Sequence, residues 1–528
     1  MINGPLTRPR RVAVSTCLLV SSLFSAVGRA GDWTTFGHDP QRSGWAFEEN
    51  QISPENVSQL ALSWTRKLPA EPYSLNALTA PVVATGISTR NGTRTVTYVA
   101  GTLGTIFALD AETGDELWKQ TLQAFLTPRK LGYQTTFLCP SGITATPVID
   151  KSRNLLFVLS AEGSLLGFDL GSGRRRYGPV HWTAPFSKNW SLNLVGNRIY
   201  TTLSQGCGKG TSGFYSIDIS DPHRPDIRQL LLSNTDTAGI WGRGGPIAGD
   251  NGRVYGSTAD GKFDPIAGDY SNSVVSASLD TLDRLDYFLP SNWLALQRRD
   301  LDLGSASPVF FGWRNRKLVA SATKESVLYL LDAESPGGGD HQTPLFASPL
   351  LGNEKGECCT GLGVWGGLST ARDESGQTWL FVPMGGPPAP QTPAFPLSYG
   401  ATTHGSVMAF KVVPAPASGN PMLEPAWIST DVDIPDPIAI ANGVVFVLGT
   451  GENARQAGGE AGRLKNTSQP VLHAFDMKTG KELYQSGSTI KSWVHFSGLA
   501  IAEGRVFLVD HDSNVYSFAV PKKVPAKP

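Results

Sequence analysis

Apolar residues along this chain are gathered into short runs that come in close pairs. Runs such as TVTYVAG, NLLFVLS, NRIYTTL, GRVYGST, TWLFVPM and GVVFVLG each lead, after a few polar residues, into a second run that ends at a turn. The second runs align as FALD at 107–110, GFDL at 167–170, YSID at 215–218, SASLD at 276–280, YLLD at 329–332, MAFK at 408–411, HAFD at 473–476 and YSFA at 516–519. A further apolar stretch with Pro or a small residue, as in TAPVVA, TATPVID and SASPVFF, often precedes the pair. The hairpin phrase itself is written twice almost unchanged, FALDAETGDELW at 107–118 and AFDMKTGKELY at 474–484. Asp suits such a turn because its carboxylate bonds its own backbone, and Gly because it accepts positive φ. Asp110, Asp218, Asp332 and Asp476 are accordingly read as turn caps without chemistry.

Units of four short strands, repeated eight times, predict an all-β chain folded as one eight-bladed β-propeller of four-stranded antiparallel blades. A lone blade cannot bury both faces, so neighbours must stack. The last copy, at 516–519, has no outer strand after it. The segment ALSWTRKL at 61–68 has the outer-strand pattern with Trp64 in place, and is predicted to close the ring by completing the eighth blade. The Gly and Pro content, 58 and 37 residues beside 40% hydrophobic residues, agrees with many turns around a real core.

Charge removes some partners. The 45 basic and 45 acidic side chains leave no basic excess for nucleic acid or an anionic membrane. Residues 1–30 read as a signal peptide: Arg8, Arg10 and Arg11 precede the apolar run 12–27, and Gly28 and Ala30 fit a cleavage site before Gly31. The domain plan is thus a signal peptide over 1–30, a propeller over 31–520 and a flexible basic tail over 521–528. Export to the periplasm or outside the cell follows, with no membrane span after cleavage. The mature cysteines, Cys139, Cys207, Cys358 and Cys359, then lie where disulfides persist. No Cys-x-x-Cys-His is present, so no c-type haem is expected on this chain.

The stretch DWTTFGHDPQRSGWAFEENQISPENVSQLALSW at 32–64, with the repeated hairpin, resembles the quinoprotein alcohol dehydrogenases. These are PQQ-repeat propellers that bind pyrroloquinoline quinone (PQQ) and a Ca²⁺ or lanthanide ion. The resemblance implies oxidation of a small-molecule or polymeric alcohol, with electrons passed to a separate cytochrome c-type acceptor. It also implies residue roles. Trp241, in GIWGRGGPIAGDNGRVYGSTADG, would be the floor under the quinone. Asp260 falls at a metal-ligand position, where Asp can also bind a hard cation. QRRDLDLGSASPVF at 297–310 carries the catalytic base onto Asp300 and an extra, lanthanide-type ligand onto Asp302. Lys324, in SATKESVLYLLDAE, would stand beside the quinone. A metal acts here as a Lewis acid, a carboxylate as base for the hydroxyl proton, and a cation as charge stabiliser.

The match has gaps. Leu78 stands where a cofactor-contacting Glu is expected. LCPSGITATPV, around Cys139, has one cysteine and no Arg where the family has a Cys-Cys pair followed by Asn-Arg-Gly. The loop LSQGCGKGTSG has no Glu for a second carboxylate ligand. Asn189, Arg243 and His495 fall at starts of inner strands, where they could replace the missing cofactor contacts or line a wet channel. Trp190, Trp241 and Trp365 occupy similar positions, and channel-wall packing is expected to account for two of the three. Cys139 and Cys207 are expected to form a disulfide between blades two and three, a channel-facing thiol site being the other reading. Cys358-Cys359, in the loop entering blade six, reads as a surface dithiol or incidental disulfide ahead of a channel-facing pair. The competing function is a non-catalytic propeller that binds a protein or carbohydrate, to which the gaps would point.

Overall fold

A computed structural model describes residues 1, 4, 31–122, 124, 126–233, 239–495 and 497–521. The signal-peptide reading and the tail after residue 521 lie outside these residues, apart from the isolated positions 1 and 4.

The described chain forms an eight-bladed propeller. Successive blades have their inner strands at Val82–Thr89, Val148–Asp150, Asn193–Val195, Ile247–Ala248, Val309–Trp313, Ser369–Arg372, Ala439–Ala441 and Ala500–Ala502. Each blade runs outward through antiparallel neighbours, and interior strands such as Leu155–Leu159 and Val444–Gly449 are buried throughout. The predicted closure is present. Ala61–Lys67 pairs antiparallel with Asn514–Ala519 and supplies the outer strand of blade eight.

The hairpin phrase explains how blades dock. In blade one Asp110 Oδ1 accepts from the amides of Glu112 (2.8 Å) and Thr113 (3.2 Å), and the Gly114 amide donates to Asp110 O (2.8 Å). Gly114 adopts φ +76° and leaves a flat backbone face on which the Trp64 indole rests. Trp64 Nε1 donates to Ala111 O (3.1 Å), so the outer strand of blade eight is bonded to the turn of blade one. The same device sets Trp118 on Gly173, with Nε1 to Leu170 O at 2.8 Å, and Trp427 on Gly480, with Nε1 to Met477 O at 2.9 Å. One short phrase therefore makes both the turn within a blade and the seat for its neighbour.

A second device sits on the ring axis. Residues 32–49 cross from blade to blade and bond each inner strand or its flank in turn. The Trp33 and Val83 backbones exchange bonds, and the amides of Ile149, Ala248, Phe310, Thr370 and Ile440 donate to the carbonyls of Thr34, Pro40, Gln41, Ser43 and Gly44. Thr35 Oγ1 donates to Leu192 O in blade three, and Gly504 in blade eight donates to Glu49 Oε2. Buried Arg42 bonds Thr35, Phe36 O and Leu192 O. The segment is a plug that touches all eight blades.

These contacts separate two kinds of glycine. A Cβ on Gly114 would lie 2.7 Å from the Trp64 ring, whereas one on Gly92, at φ +91°, would meet nothing within 4 Å. Gly92→Ala is expected to cost only the left-handed backbone penalty, about 1–2 kcal/mol. Gly114→Ala should cost more than that and lower the thermal midpoint further. Equal midpoints for the two variants, read by calorimetry, would show that the indole seat contributes nothing.

Candidate active site

The carboxylates predicted from blades four and five converge. The helix Trp293–Arg299 ends in a Schellman turn: the Leu301 amide donates to Leu296 O (2.9 Å) and the Asp300 amide to Gln297 O (3.4 Å). This places Asp300 in the left-handed region (φ +51°), where Asp is among the few tolerated non-glycine residues. Asp302 follows at the start of a tight turn and is fully buried, with its Oδ2 accepting from Ser305 Oγ (3.2 Å). Asp260 lies in the loop after Arg253–Ser257. Gln297 ties that loop to the helix, accepting from the Gly261 amide (3.1 Å) and from Asn272 Nδ2 (2.9 Å). Carboxylate oxygens of Asp260, Asp300 and Asp302 all lie within 4.8 Å of one another.

Lys324 is the counter-charge. Its ammonium lies 2.7 Å from Asp300 Oδ1 and 2.5 Å from Asp302 Oδ1, with its side chain only 2% exposed. It also stands 4.9 Å from the Trp241 ring centre and 5.1 Å from that of Trp365. The two indoles meet edge to face at 6.2 Å. The Asp300 side chain, by contrast, is 40% exposed, so a solvent-borne molecule can reach it.

Charge crowding shifts the titrations. Burial, then the neighbouring Asp302 and Asp300 charges, push Asp260 up to about 8. Burial also lifts Asp300, to about 6, because Lys324 offsets only part of it. For Lys324 burial works against the charged form, but Asp302 and Asp300 outweigh it and the pKa is raised. At neutral pH the site thus holds an ionised, reachable Asp300 beside a protonated lysine and a protonated Asp260.

The vicinal pair lies here rather than on the surface. Cys358 and Cys359 form a disulfide whose sulfurs stand 2.7 and 3.0 Å from Asp300 Oδ2. Four hydrogen bonds shape their loop and carry it to the site. Asn353 donates to Lys324 O (2.9 Å) and accepts from the Glu357 amide (2.9 Å), and Arg299 Nη2 bonds the carbonyls of Lys355 and Gly356. The surface-dithiol reading of KGECC is therefore corrected. Only the Cys-Cys spelling in the sequence hinted at this, since the contacts that aim the loop come from other blades.

Cys139 and Cys207 are joined by a disulfide with Cα atoms 5.4 Å apart, linking the loop before blade two to a loop of blade three. Asn189 is not brought to the carboxylates; its amide donates to Ser187 O (3.0 Å) and Oγ (3.2 Å). Trp190, Trp241, Trp365, Arg243 and His495 all line one chamber open to solvent, joined by Lys188 and Arg463. Beside it, fully buried Glu452 holds Arg463 and accepts from His495 Nδ1 (2.8 Å). Lys188, Glu452 and Arg463 were not found from the sequence, because they sit in segments without a repeated motif.

Two kinds of ligand fit these residues. The three carboxylates form an all-oxygen donor set for a hard cation, and the buried Asp260 Oδ1 has no hydrogen-bond partner. The Trp241 face and the chamber cations suit a flat anionic molecule.

Comparison with known proteins agrees on class. Residues 33–178 match the PQQ family model described as "Glucose/ethanol/alcohol dehydrogenase, beta-propeller domain". That segment is thus similar to part of a PQQ-type propeller domain. Among solved structures it is similar to a europium-containing methanol dehydrogenase, at 13% identity and TM-score 0.63, covering 93% of this chain and 98% of that one. It is also similar to the quinohemoprotein alcohol dehydrogenase ADHIIG of Pseudomonas putida HK5, at 14% identity and TM-score 0.59, covering 95% and 83% of the two chains. A third is the quinohemoprotein alcohol dehydrogenase of Comamonas testosteroni, at 13% identity and TM-score 0.58, covering 95% and 82%. At such identities the likeness is one of fold. No curated protein matches the sequence. Among the described residues no helix is long and apolar enough to cross a membrane.

The raised Asp260 titration has a sign that can be checked in metal-free protein. Between about pH 4, where an unfolded Asp titrates, and about pH 8, the folded state keeps a proton that the unfolded state has lost. Stability attributable to this group falls as pH rises through that window. Asp260→Asn should remove the fall, so the variant gains on the wild type from pH 4 to pH 8 in chelator-treated denaturation curves. A gap that does not widen with pH would show that Asp260 ionises normally.

Proposed function

We propose that the chain is an exported quinoprotein-type dehydrogenase that oxidises an alcohol and passes electrons to a separate cytochrome c-type acceptor. The observation that carries this reading is the reachable Asp300 carboxylate, held by buried Lys324 beside Trp241. When bound, PQQ against Trp241 supplies a two-electron acceptor for the hydride of the alcohol carbon, and a Ca²⁺ or lanthanide ion on Asp260, Asp300 and Asp302 supplies Lewis acidity.

The protein's own part is proton and charge management. Asp300, ionised above about pH 6, accepts the hydroxyl proton of the alcohol. Lys324 fixes that carboxylate from one side through Oδ1, while the Cys358–Cys359 disulfide covers Oδ2. The indoles of Trp241 and Trp365 shield the ammonium from water, which strengthens its field. The N-terminal apolar run supports export.

A second reading keeps the shape without the chemistry: a propeller that binds a protein or carbohydrate. It is favoured by buried Leu78 and by the Cys139–Cys207 disulfide, which occupy positions where the resemblance expects cofactor contacts.

The readings divide on cofactor binding and on Asp300. Tryptophan quenching by PQQ should saturate, require Ca²⁺ or La³⁺, and be lost in Trp241→Ala. Asp300→Asn, which keeps a side chain at home in the left-handed region, should retain PQQ binding and lose roughly 10²–10⁴-fold in kcat. Undiminished turnover in Asp300→Asn would remove the base assignment, and absence of quenching with either metal would favour the binding propeller.

A further inference from the structure

The chamber beside Trp241 carries more positive than negative charge. Lys188 comes from blade three, Arg243 from blade four, and Arg463 from the helix Gly459–Lys465 in a loop of blade seven. Two carboxylates, Glu452 and Asp436, are close enough to influence Arg243. Even with both ionised, three cations face two anions. Glu452 is engaged by Arg463 and His495. Asp436 is fully buried, accepts from the Gly498 amide (2.8 Å), and is pushed by burial up to about 7. His495, pulled by burial down to about 3, adds no positive charge at neutral pH.

Lys188 is the cation least provided for. Its ammonium donates to the neutral Gln205 Oε1 (3.0 Å) and stands 5.0 Å from the Trp190 ring centre. Among the described residues no carboxylate pairs with it. Burial, then Arg243 and Arg463, pull its pKa down to about 7. A charge held out of water beside like charges is costly to the free protein, and an arriving anion recovers that cost. The walls specify the anion's shape: the flat indoles of Trp190, Trp241 and Trp365 line the chamber.

We infer that Lys188, Arg243 and Arg463 form a carboxylate cradle for a planar aromatic polycarboxylate lying against Trp241. This deepens the quinoprotein reading and rests on it for the identity of that ligand as PQQ. It assigns the carboxylate contacts to blades three, four and seven, in place of those missing at Leu78 and around Cys139.

The test uses the full chain and three probes: PQQ, its trimethyl ester, and benzene-1,3,5-tricarboxylate, each titrated by tryptophan fluorescence in the presence of Ca²⁺. Lys188→Met should weaken PQQ binding about tenfold or more, the size of one charge-assisted hydrogen bond. Lys188→Arg should restore most of the affinity, which a merely structural role would not predict. The triester should bind the wild type and Lys188→Met alike. Equal PQQ affinity in wild type and Lys188→Met overturns the cradle. Should the wild type ignore PQQ yet bind the benzene tricarboxylate in a Lys188-dependent way, the cradle stands and the quinoprotein reading falls. Binding of neither carboxylate probe overturns the cradle as well.

Discussion

A propeller blade cannot hide its own two faces, so every blade here is stable only between neighbours, and the ring is stable only when closed. Closure is made by a strand from the far end of the chain, Ala61–Lys67 on Asn514–Ala519. The indole it carries then seats on the first blade at Gly114. The site depends on this directly. Asp260, Asp300, Lys324 and Cys358 come from the regions of blades four to six, and Lys188 and Arg463 from blades three and seven. Lys188 and Arg463, four blades apart, reach one chamber only across the closed ring. The plug over 32–49 acts at the same point, because one segment bonded to every blade fixes the spacing of the inner strands around the axis.

That arrangement leaves chemistry free of stability. The interior strands bury mostly aliphatic and aromatic residues, whereas Asp260, Asp300, Asp302 and Lys324 stand in loops after or between strands. A loop can then take an unusual conformation at small cost to the ring. Asp300 is the clearest instance: the helix Trp293–Arg299 stops in a Schellman turn, and the left-handed residue that a glycine commonly fills is the carboxylate itself. The conformation aims Asp300 between Lys324 and the vicinal disulfide, which a continued helix would not do.

The legible part of this protein is the part written locally. The Asp…Thr-Gly phrase encodes its own turn, so it could be read at 107–118 and 474–484 without any tertiary information. The missing outer strand after 516–519 pointed back to Trp64 by the same logic. Asp260, Asp300, Asp302 and Lys324 were reached through resemblance, and position in the repeat placed their loops on one rim. Less legible were the contacts that aim one loop at another. The place of Cys358-Cys359 depends on Asn353 reaching Lys324 O and on Arg299 reaching Lys355 and Gly356. Glu452 and Arg463 meet only because a loop of blade seven folds over the channel mouth. In sequence, GENARQAGGEAGRLK looks like an ordinary solvated loop.

The charges that result are not scattered. On one side of Trp241 stand Asp260, Asp300 and Asp302 around a single lysine, an excess of carboxylate that raises the titrations of Asp260 and Asp300. Lining the chamber with Trp241 stand Lys188, Arg243 and Arg463; burial pulls Lys188 and Arg243 down, and for Lys188 the neighbouring Arg243 and Arg463 charges add to it. Burial opposes charge in both groups, so each is held at an electrostatic cost that the closed ring sustains. Opposed excesses in a low-dielectric space make a field along the intervening indole. A flat molecule with carboxylates at one end would be turned by that field so that its anionic end meets the cations. Its other end would then face the reachable Asp300, which is the end at which proton transfer is possible. Orientation and reactivity would follow from one charge distribution, without either group of residues touching the other.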